Sequence, residues 1–387
     1  MPMFACGCDA TKAPTIALLR EMARRRLPRF AFDYLDGGAG AGRTLARNRA
    51  ALEAITLLPR ALRDVAQVDT ATTLLGLKMA APVMVAPTGV AGLMRPGADA
   101  MLARAAAAAG LPFVLSAASN MPVEEVAKAG GQIWMQLYPL RDRAAAGQLA
   151  ARAQAAGFVG VMVTVDAAVH GARHWERLHF SASGRPRLRT RLDALRHPAW
   201  LAGTLRHGEP RFPNIVMDMP ESARTSQAER NAINEGKDSA FTFESLAQFR
   251  DAWKGRLVVK GLQAPDDVAA VARLGVDAVV LSNHGGRQLD SAAAPIETLA
   301  ACKSVAGRMP VLVDSGFRDG GDIAKAVALG AASVLVGRAP LYGVAAGGEA
   351  GAARALEILV SDLRRVMALL GCASVSALGP EYILPGR

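Results

Sequence analysis

The stretch DAVVLSNHGGRQLD, residues 277–290, joins a β-branched apolar run to a histidine, two glycines and an arginine in successive positions. A short apolar run closed by polar and glycine residues reads as a buried strand whose end meets solvent or ligand. Working outward, the same unit recurs at PVMVAP (82–87), PFVLS (112–116), IWMQLY (133–138), GVMVTVD (160–166), LVVKG (257–261), AVVLSN (278–283), PVLVDSG (310–316) and SVLVGR (333–338). Alanine-rich helical stretches separate most of these runs. Eight such βα units predict an α/β fold, a closed (β/α)8 TIM barrel, where an open doubly wound sheet would more often stop earlier and reverse its order. The barrel is expected over 76–370, with residues 1–75 as an N-terminal helical cap and 371–387 as a C-terminal tail. In the cap, PRFAFDYLDGGAG (28–40) closes an early helix. The rhythm breaks once, after the fourth strand, where 167–240 forms a long insert.

Composition narrows the class. A 387-residue chain that is 51% hydrophobic can fill a substantial core. It has no uninterrupted apolar run long enough to span a bilayer, and the start of the sequence does not read as an export signal. Four scattered cysteines fit a reducing compartment, and the Cys6-Gly7-Cys8 pair lacks the second pair a metal would want, so no metal site is expected. A net charge of +11 calls for an anionic partner: nucleic acid, a membrane surface or acidic small molecules. No nucleic-acid motif accompanies the charge.

Barrels of this kind carry their chemistry where strands end. Those ends offer Thr88, Ser116, Gln136, Tyr138, Thr164, Asp166, Lys260, Ser282, His284, Asp314 and Arg338. The last two strands run into VDSGFRDGGD (313–322) and VGRAPLYG (336–343). Glycine turns opening onto helices, with Arg318 and Arg338 beside them, are suited to a phosphate.

Taken together, SNHGGRQLD (282–290), QLY (136–138), TVD (164–166), GAR (171–173), VVKG (258–261), DSGFR (314–318), GR (337–338), LPRFAFDYLDGGA (27–39) and APTG (86–89) closely resemble the FMN-dependent α-hydroxy-acid oxidases and dehydrogenases. SAASNMP (116–122), HPAW (197–200) and GRAPLYG (337–343) look nearest its membrane-associated branch, which acts on mandelate and L-lactate. The resemblance spans nearly the whole chain. It implies FMN as cofactor and His284 as the active-site base, paired with Asp166. Arg287, Arg173 and the phenol of Tyr34 would hold the substrate carboxylate, with Tyr138 near the substrate hydroxyl. Lys260 would face the N1/O2 edge of the flavin. Pro87, Thr88, Gly89, Ser116, Gln136, Thr164 and Ser282 would line the flavin. Asp314 would bind the ribityl chain, and Arg318, Gly337 and Arg338 the phosphate. A homotetramer is also implied.

Those roles make chemical sense. Oxidising a 2-hydroxy acid removes a hydroxyl proton and the Cα hydrogen, and a histidine near neutral pKa suits the proton. A carboxylate such as Asp166 fixes the imidazole tautomer and stabilises its cation. Two arginines clamp the substrate carboxylate, and Lys260 stabilises negative charge on the reduced ring.

Two departures bear on specificity. Ala118 stands where many oxidases of the family carry tryptophan, which favours a larger or aromatic substrate side chain. Gly89 replaces a common alanine and points toward a dehydrogenase. Within the insert, 171–212 holds nine arginines, no lysine and three acids, together with four of the six histidines. Leu188, Leu192 and Leu195 fall at helical spacing, followed by Trp200, Leu201 and Leu205. A basic helix with an apolar stripe fits an anionic membrane surface, with packing on the barrel as its competitor. The polar stretch 217–239 reads as a mobile lid. The expectation is oxidation of an L-(S)-2-hydroxy acid, mandelate-like before lactate-like. Electrons would pass to a membrane quinone or other carrier on the inner face of the cell membrane. An oxygen-using oxidase and an FMN-binding barrel isomerase are the alternatives.

Overall fold

The computed structural model describes residues 9–181, 185–215 and 225–385. Cys6 and Cys8, and 217–224 of the stretch read as a lid, lie outside the described residues. The strands are β1 (Thr72–Leu74), β2 (Leu77–Met79), β3 (Val83–Val85), β4 (Phe113–Leu115), β5 (Ile133–Leu137), β6 (Gly160–Thr164), β7 (Leu257–Leu262), β8 (Ala278–Leu281), β9 (Val311–Val313) and β10 (Ser333–Val336). Strands β3 to β10 form the closed parallel barrel, β10 pairing with β3 to complete it. All eight lie at the runs read as strands, most with shorter ladders, and β7 extends one residue past its run.

Alternation along the strands builds two cores from one sheet. Met84, Val114, Trp134, Met162, Val258, Val280, Leu312 and Leu335 face inward and fill the barrel, while Val83, Val85, Leu115, Val163, Val259, Val313 and their equivalents face the surrounding helices. Trp134 takes so much of the interior that a Cβ at Gly160 would sit 2.5 Å from its ring.

The first 75 residues are less uniformly helical than their pattern suggests. Three helices, Ile16–Arg26, Arg29–Asp36 and Arg43–Ala54, are followed by the antiparallel hairpin β1–β2, which straddles position 75. Leu74 and Met79 of that hairpin pack on the inward-facing barrel residues and plug the N-terminal mouth. The helix Arg29–Asp36 lies at the opposite, C-terminal mouth, where Arg287 Nη1 donates to Tyr34 O (2.7 Å) and Arg338 Nε to Leu35 O (3.0 Å).

The insert docks on that same helix. His179 Nε2 meets Asp33 Oδ2 at 2.7 Å, the Arg29 amide donates to Asp193 Oδ2 at 2.6 Å, and Phe30 stands edge-on to both Phe180 and Trp200. Leu188, Leu192 and Leu195 share the helix Leu188–Leu195, and all three are exposed, at 72%, 53% and 63%. Trp200 does not join that face. Its indole N–H donates to Leu93 O (2.8 Å) and its ring packs on Phe30, because a half-buried indole requires an acceptor.

Candidate active site

The inward alternation changes chemistry as it climbs. Two residues beyond Val114, Trp134, Met162, Val258, Val280 and Leu312 stand Ser116, Gln136, Thr164, Lys260, Ser282 and Asp314, a buried polar layer on the apolar plug. Two residues further, Tyr138, Asp166 and His284 form the next layer, below a cavity of about 1530 Å³. Gln136, Tyr138, Thr164, Lys260, His284 and Asp314 line that cavity, as do Tyr34, Pro87, Thr88, Gly89, Arg173, Arg287, Arg318, Gly337 and Arg338. Three of the expected site residues stand behind this lining. Ser116 Oγ donates to Gln136 Oε1 (3.2 Å), Ser282 Oγ accepts from Lys260 Nζ (2.7 Å), and Asp166 supports His284. They orient the groups that reach the cavity.

His284 Nδ1 lies 2.8 Å from Asp166 Oδ1, which leaves Nε2 as the nitrogen available for proton exchange. Burial alone would raise the Asp166 carboxyl, but His284 and then Lys260 outweigh it and hold the pKa below the usual carboxylate value. Burial likewise opposes the Lys260 ammonium. The carboxylates of Asp314, at 2.7 Å, and Asp166 reverse that effect, so Lys260 stays charged in a fully enclosed position. The phenol of Tyr138 is pushed up by burial and by Asp166, so it remains a protonated donor.

The turn that presents His284 is tight. His284, Gly285 and Gly286 have φ of 58°, 65° and 75°, three consecutive left-handed residues. A Cβ on Gly286 would meet the backbone nitrogen of Leu45 at 2.7 Å. We expect Gly286→Ala to cost about 2–4 kcal/mol, from the left-handed backbone together with overpacking. A urea midpoint equal to that of the parent would show that the turn relaxes freely.

The arginines divide. Arg287 lies over the Tyr34 ring at 4.8 Å from its centroid, with Nη1 shared between the carbonyls of Tyr34 and Gly37. Arg173 lies over the same ring at 5.9 Å, and the Tyr34 hydroxyl donates to Gly89 O at 3.1 Å. Arg338, expected at a phosphate, lines the cavity and is also held by the backbone around it. Its Nε, Nη1 and Nη2 donate to the carbonyls of Leu35, Gly285 and Gly37, so it ties the cap helix to the barrel top, and burial pushes its pKa down to about 10. Arg318 borders the cavity beside Gly316 and Gly337, its guanidinium 5.8 Å from the Tyr342 ring centroid.

Two cavity residues carry signals the sequence reading missed. His170 is pushed down to about 3 by burial and by Arg173, Lys237 and Arg287, so the imidazole is neutral. Lys237 is only 8% exposed, and its ammonium sits 4.6 Å from the Tyr138 ring centroid. It is a lone lysine in a polar stretch, and nothing in such a stretch marks it as buried.

A family model described as FMN-dependent dehydrogenase matches residues 23–385. The chain belongs to this family. It is 40% identical over 369 residues to the (S)-mandelate dehydrogenase of Pseudomonas putida, covering 94% of this chain and 92% of that one. It is 44% identical over 371 residues to an L-lactate dehydrogenase of Caulobacter vibrioides, covering 95% and 96%. A crystal structure of monotopic membrane protein (S)-mandelate dehydrogenase superposes with a TM-score of 0.92 at 38% identity, covering 97% of this chain and all of that one.

FMN is the cofactor of the FMN-dependent dehydrogenases, and the polar layer fits it. Ser116 Oγ and the Ala117 amide both donate to Gln136 Oε1, which fixes the amide and leaves buried Nε2 without a partner among the described residues. Thr164 Oγ1 is equally unsatisfied. Buried donors of this kind require acceptors, and the carbonyls and ring nitrogens of a flavin supply them. Glycine-lined turns beside Arg318 and the start of the helix Arg338–Leu370 suit the phosphate end.

Proposed function

We propose that the protein oxidises an (S)-2-hydroxy acid to the corresponding 2-oxo acid and passes the electrons to a membrane quinone or similar carrier. The observation that carries this reading is the His284–Asp166 pair, at 2.8 Å, in a cavity that also presents Arg287 and Arg173 around Tyr34. The names of the relatives, mandelate and lactate dehydrogenases, point the same way. FMN would be held by Gln136, Thr164, Lys260, Asp314, Arg318 and Arg338, with Pro87, Thr88, Gly89 and Gly337 around it, and would supply a two-electron acceptor.

The chain's own groups do the rest. Arg287 and Arg173 bind the substrate carboxylate and so orient C2. Tyr138, kept protonated, donates to the substrate oxygen. His284 Nε2 takes the hydroxyl proton as the C–O bond gains carbonyl character, and Asp166 stabilises the imidazolium formed. Lys260 opposes the negative charge that accumulates in the polar layer beneath. The small side chain of Ala118 at the cavity wall favours a substrate larger than lactate, mandelate-sized first. Anaerobic mixing of holoenzyme with a panel of (S)-2-hydroxy acids tests the reading, which fails if none bleaches the flavin. Slow reoxidation in air with fast reoxidation by a quinone analogue is expected, and stoichiometric rapid peroxide formation would assign an oxidase instead.

The insert supports attachment at a membrane surface. No described helix is long and apolar enough to cross a bilayer. Leu188, Leu192, Leu195 and Leu205 are exposed, and Arg185, Arg187, Arg189 and Arg191 are exposed beside them. Buried leucine adds a salt-insensitive component, and each basic residue near an anionic surface adds about 1 kcal/mol. Glutamine at these four arginines is expected to weaken sedimentation with anionic vesicles. Serine at Leu188, Leu192 and Leu195 is expected to weaken it further and at any salt. Undiminished sedimentation of both variants would assign the insert to packing alone.

A further inference from the structure

Lys237 is buried in the wall of the active-site cavity, yet among the described residues it has no acidic partner of its own. It is 8% exposed, and among the described residues its ammonium makes no hydrogen bond or ion pair and lies against the face of Tyr138, 4.6 Å from the ring centroid. The charges that act on it are Arg173, which repels it, and Asp166, whose carboxylate is already bonded to His284. Burial and Arg173 push its pKa down to about 8, so its protein surroundings disfavour the charge it carries at neutral pH.

Its position is not accidental slack in a loop. Lys237 bridges Leu140, the Arg141 amide donates to Gly236 O at 2.9 Å, and the Asp238 amide donates to Pro139 O at 2.9 Å. This short antiparallel clamp sets Lys237 beside the segment that leaves β5 and carries Tyr138. A methionine or leucine would satisfy the same packing without desolvating a cation. An unpaired ammonium facing a ligand cavity is matched when the ligand brings the anion.

We propose that Lys237 is a specificity-determining residue of the substrate site and binds a second carboxylate, carried on the side chain of the 2-hydroxy acid. The cavity presents cations from two parts of the fold. Arg287 and Arg173 gather around Tyr34 from the cap side, and Lys237 lies across the ring of Tyr138. The C1 carboxylate belongs to the first, and the far end of the substrate belongs to the second. Ala118, Ile233 and Phe212 give the same cavity an apolar wall suited to the connecting methylenes or ring. This inference rests on the 2-hydroxy-acid reading above and refines its substrate class.

Two matched pairs test it: (S)-2-hydroxyglutarate against (S)-2-hydroxypentanoate, and (S)-4-carboxymandelate against (S)-mandelate. Within each pair the acids differ at the far end in whether a carboxylate is present. The measurement is kcat/KM for anaerobic flavin reduction by the holoenzyme and by its Lys237→Met and Lys237→Arg variants. At least one diacid is expected to exceed its neutral partner by tenfold or more. Lys237→Met is expected to shift that ratio by at least about thirtyfold toward the neutral acid, the scale of losing a buried charge pair, and Lys237→Arg to keep the preference for the diacid. Neutral acids preferred in both pairs, or equal losses for both members on Lys237→Met, overturn the proposal. Binding of unreactive glutarate and pentanoate, followed by perturbation of the flavin spectrum, separates the two readings. Glutarate binding that depends on Lys237 supports the second anion site even if no hydroxy acid bleaches the flavin, an outcome that would sink only the oxidation chemistry.

Discussion

His284→Asn is expected to keep the flavin bound and to slow its reduction by substrate at least about a hundredfold, the usual scale for losing a positioned base. Asparagine can still hydrogen bond toward Asp166, so the turn and the carboxylate retain a partner, but it cannot accept the proton. Flavin retention is expected because the polar layer that fits the ring, Gln136, Thr164 and Lys260, makes no hydrogen bond to the imidazole. Stopped-flow absorbance under anaerobic conditions reads both quantities, and reduction at the parent rate would remove His284 from the chemistry. The pH dependence has a definite sign. Asp166 is held below its ordinary pKa, so its support of His284 is fully present above about pH 4 and is lost only as pH falls through the lowered folded value.

Arg287→Met is expected to lower kcat/KM by a factor between about 30 and several thousand, corresponding to about 2–5 kcal/mol for a buried charge-assisted pair. The guanidinium is rigidly presented, stacked on Tyr34 with Nη1 between two carbonyls, so it is oriented before a substrate carboxylate arrives. The same contacts predict a secondary cost. Removing Arg287 leaves the carbonyls of Tyr34 and Gly37 short of a donor and loosens the cap helix, although Arg338 still serves Gly37. Lysine at this position keeps charge without the planar fork and is expected to recover only part of the loss. FMN affinity is the control. The phosphate end proposed at Arg318, Gly337 and Arg338 uses other loops, so a variant that released FMN while residual holoenzyme turned over normally would reassign Arg287 to the cofactor.

Much of this site is written as a two-residue rhythm. Val258 and Lys260, Val280, Ser282 and His284, or Trp134, Gln136 and Tyr138 share a face because a strand alternates, and barrel closure turns that face inward. What a strand run cannot convey is partnership across the barrel. Ser116 and Ser282 read as cavity residues, yet they stand behind Gln136 and Lys260, because small hydroxyls at the edge of a layer reach a neighbouring strand before they reach the centre. Arg338 reads as a phosphate ligand from its glycine turn. Its contacts with Leu35 and Gly37 depend on a cap helix some three hundred positions earlier in the chain, and its contact with Gly285 on the turn after β8.

The insert and the cap show the same division. Leu188, Leu192 and Leu195 announce one helical face through spacing alone, but spacing does not say whether that face is covered. Docking through Phe30, Asp33 and Asp193 orients the helix so that it is not, and Trp200 is drawn to Leu93 and away from the stripe. By itself the sequence determined the eight-stranded barrel, its polar rim and the identities of the chemical groups, since hydrophobic alternation and strand-end residues are local properties. The tertiary structure alone decided which of those groups face the cavity, which brace them, and that Lys237 is buried without a counter-charge among the described residues. Burial and electrostatic pairing are set by residues distant in the chain, and no local pattern encodes them.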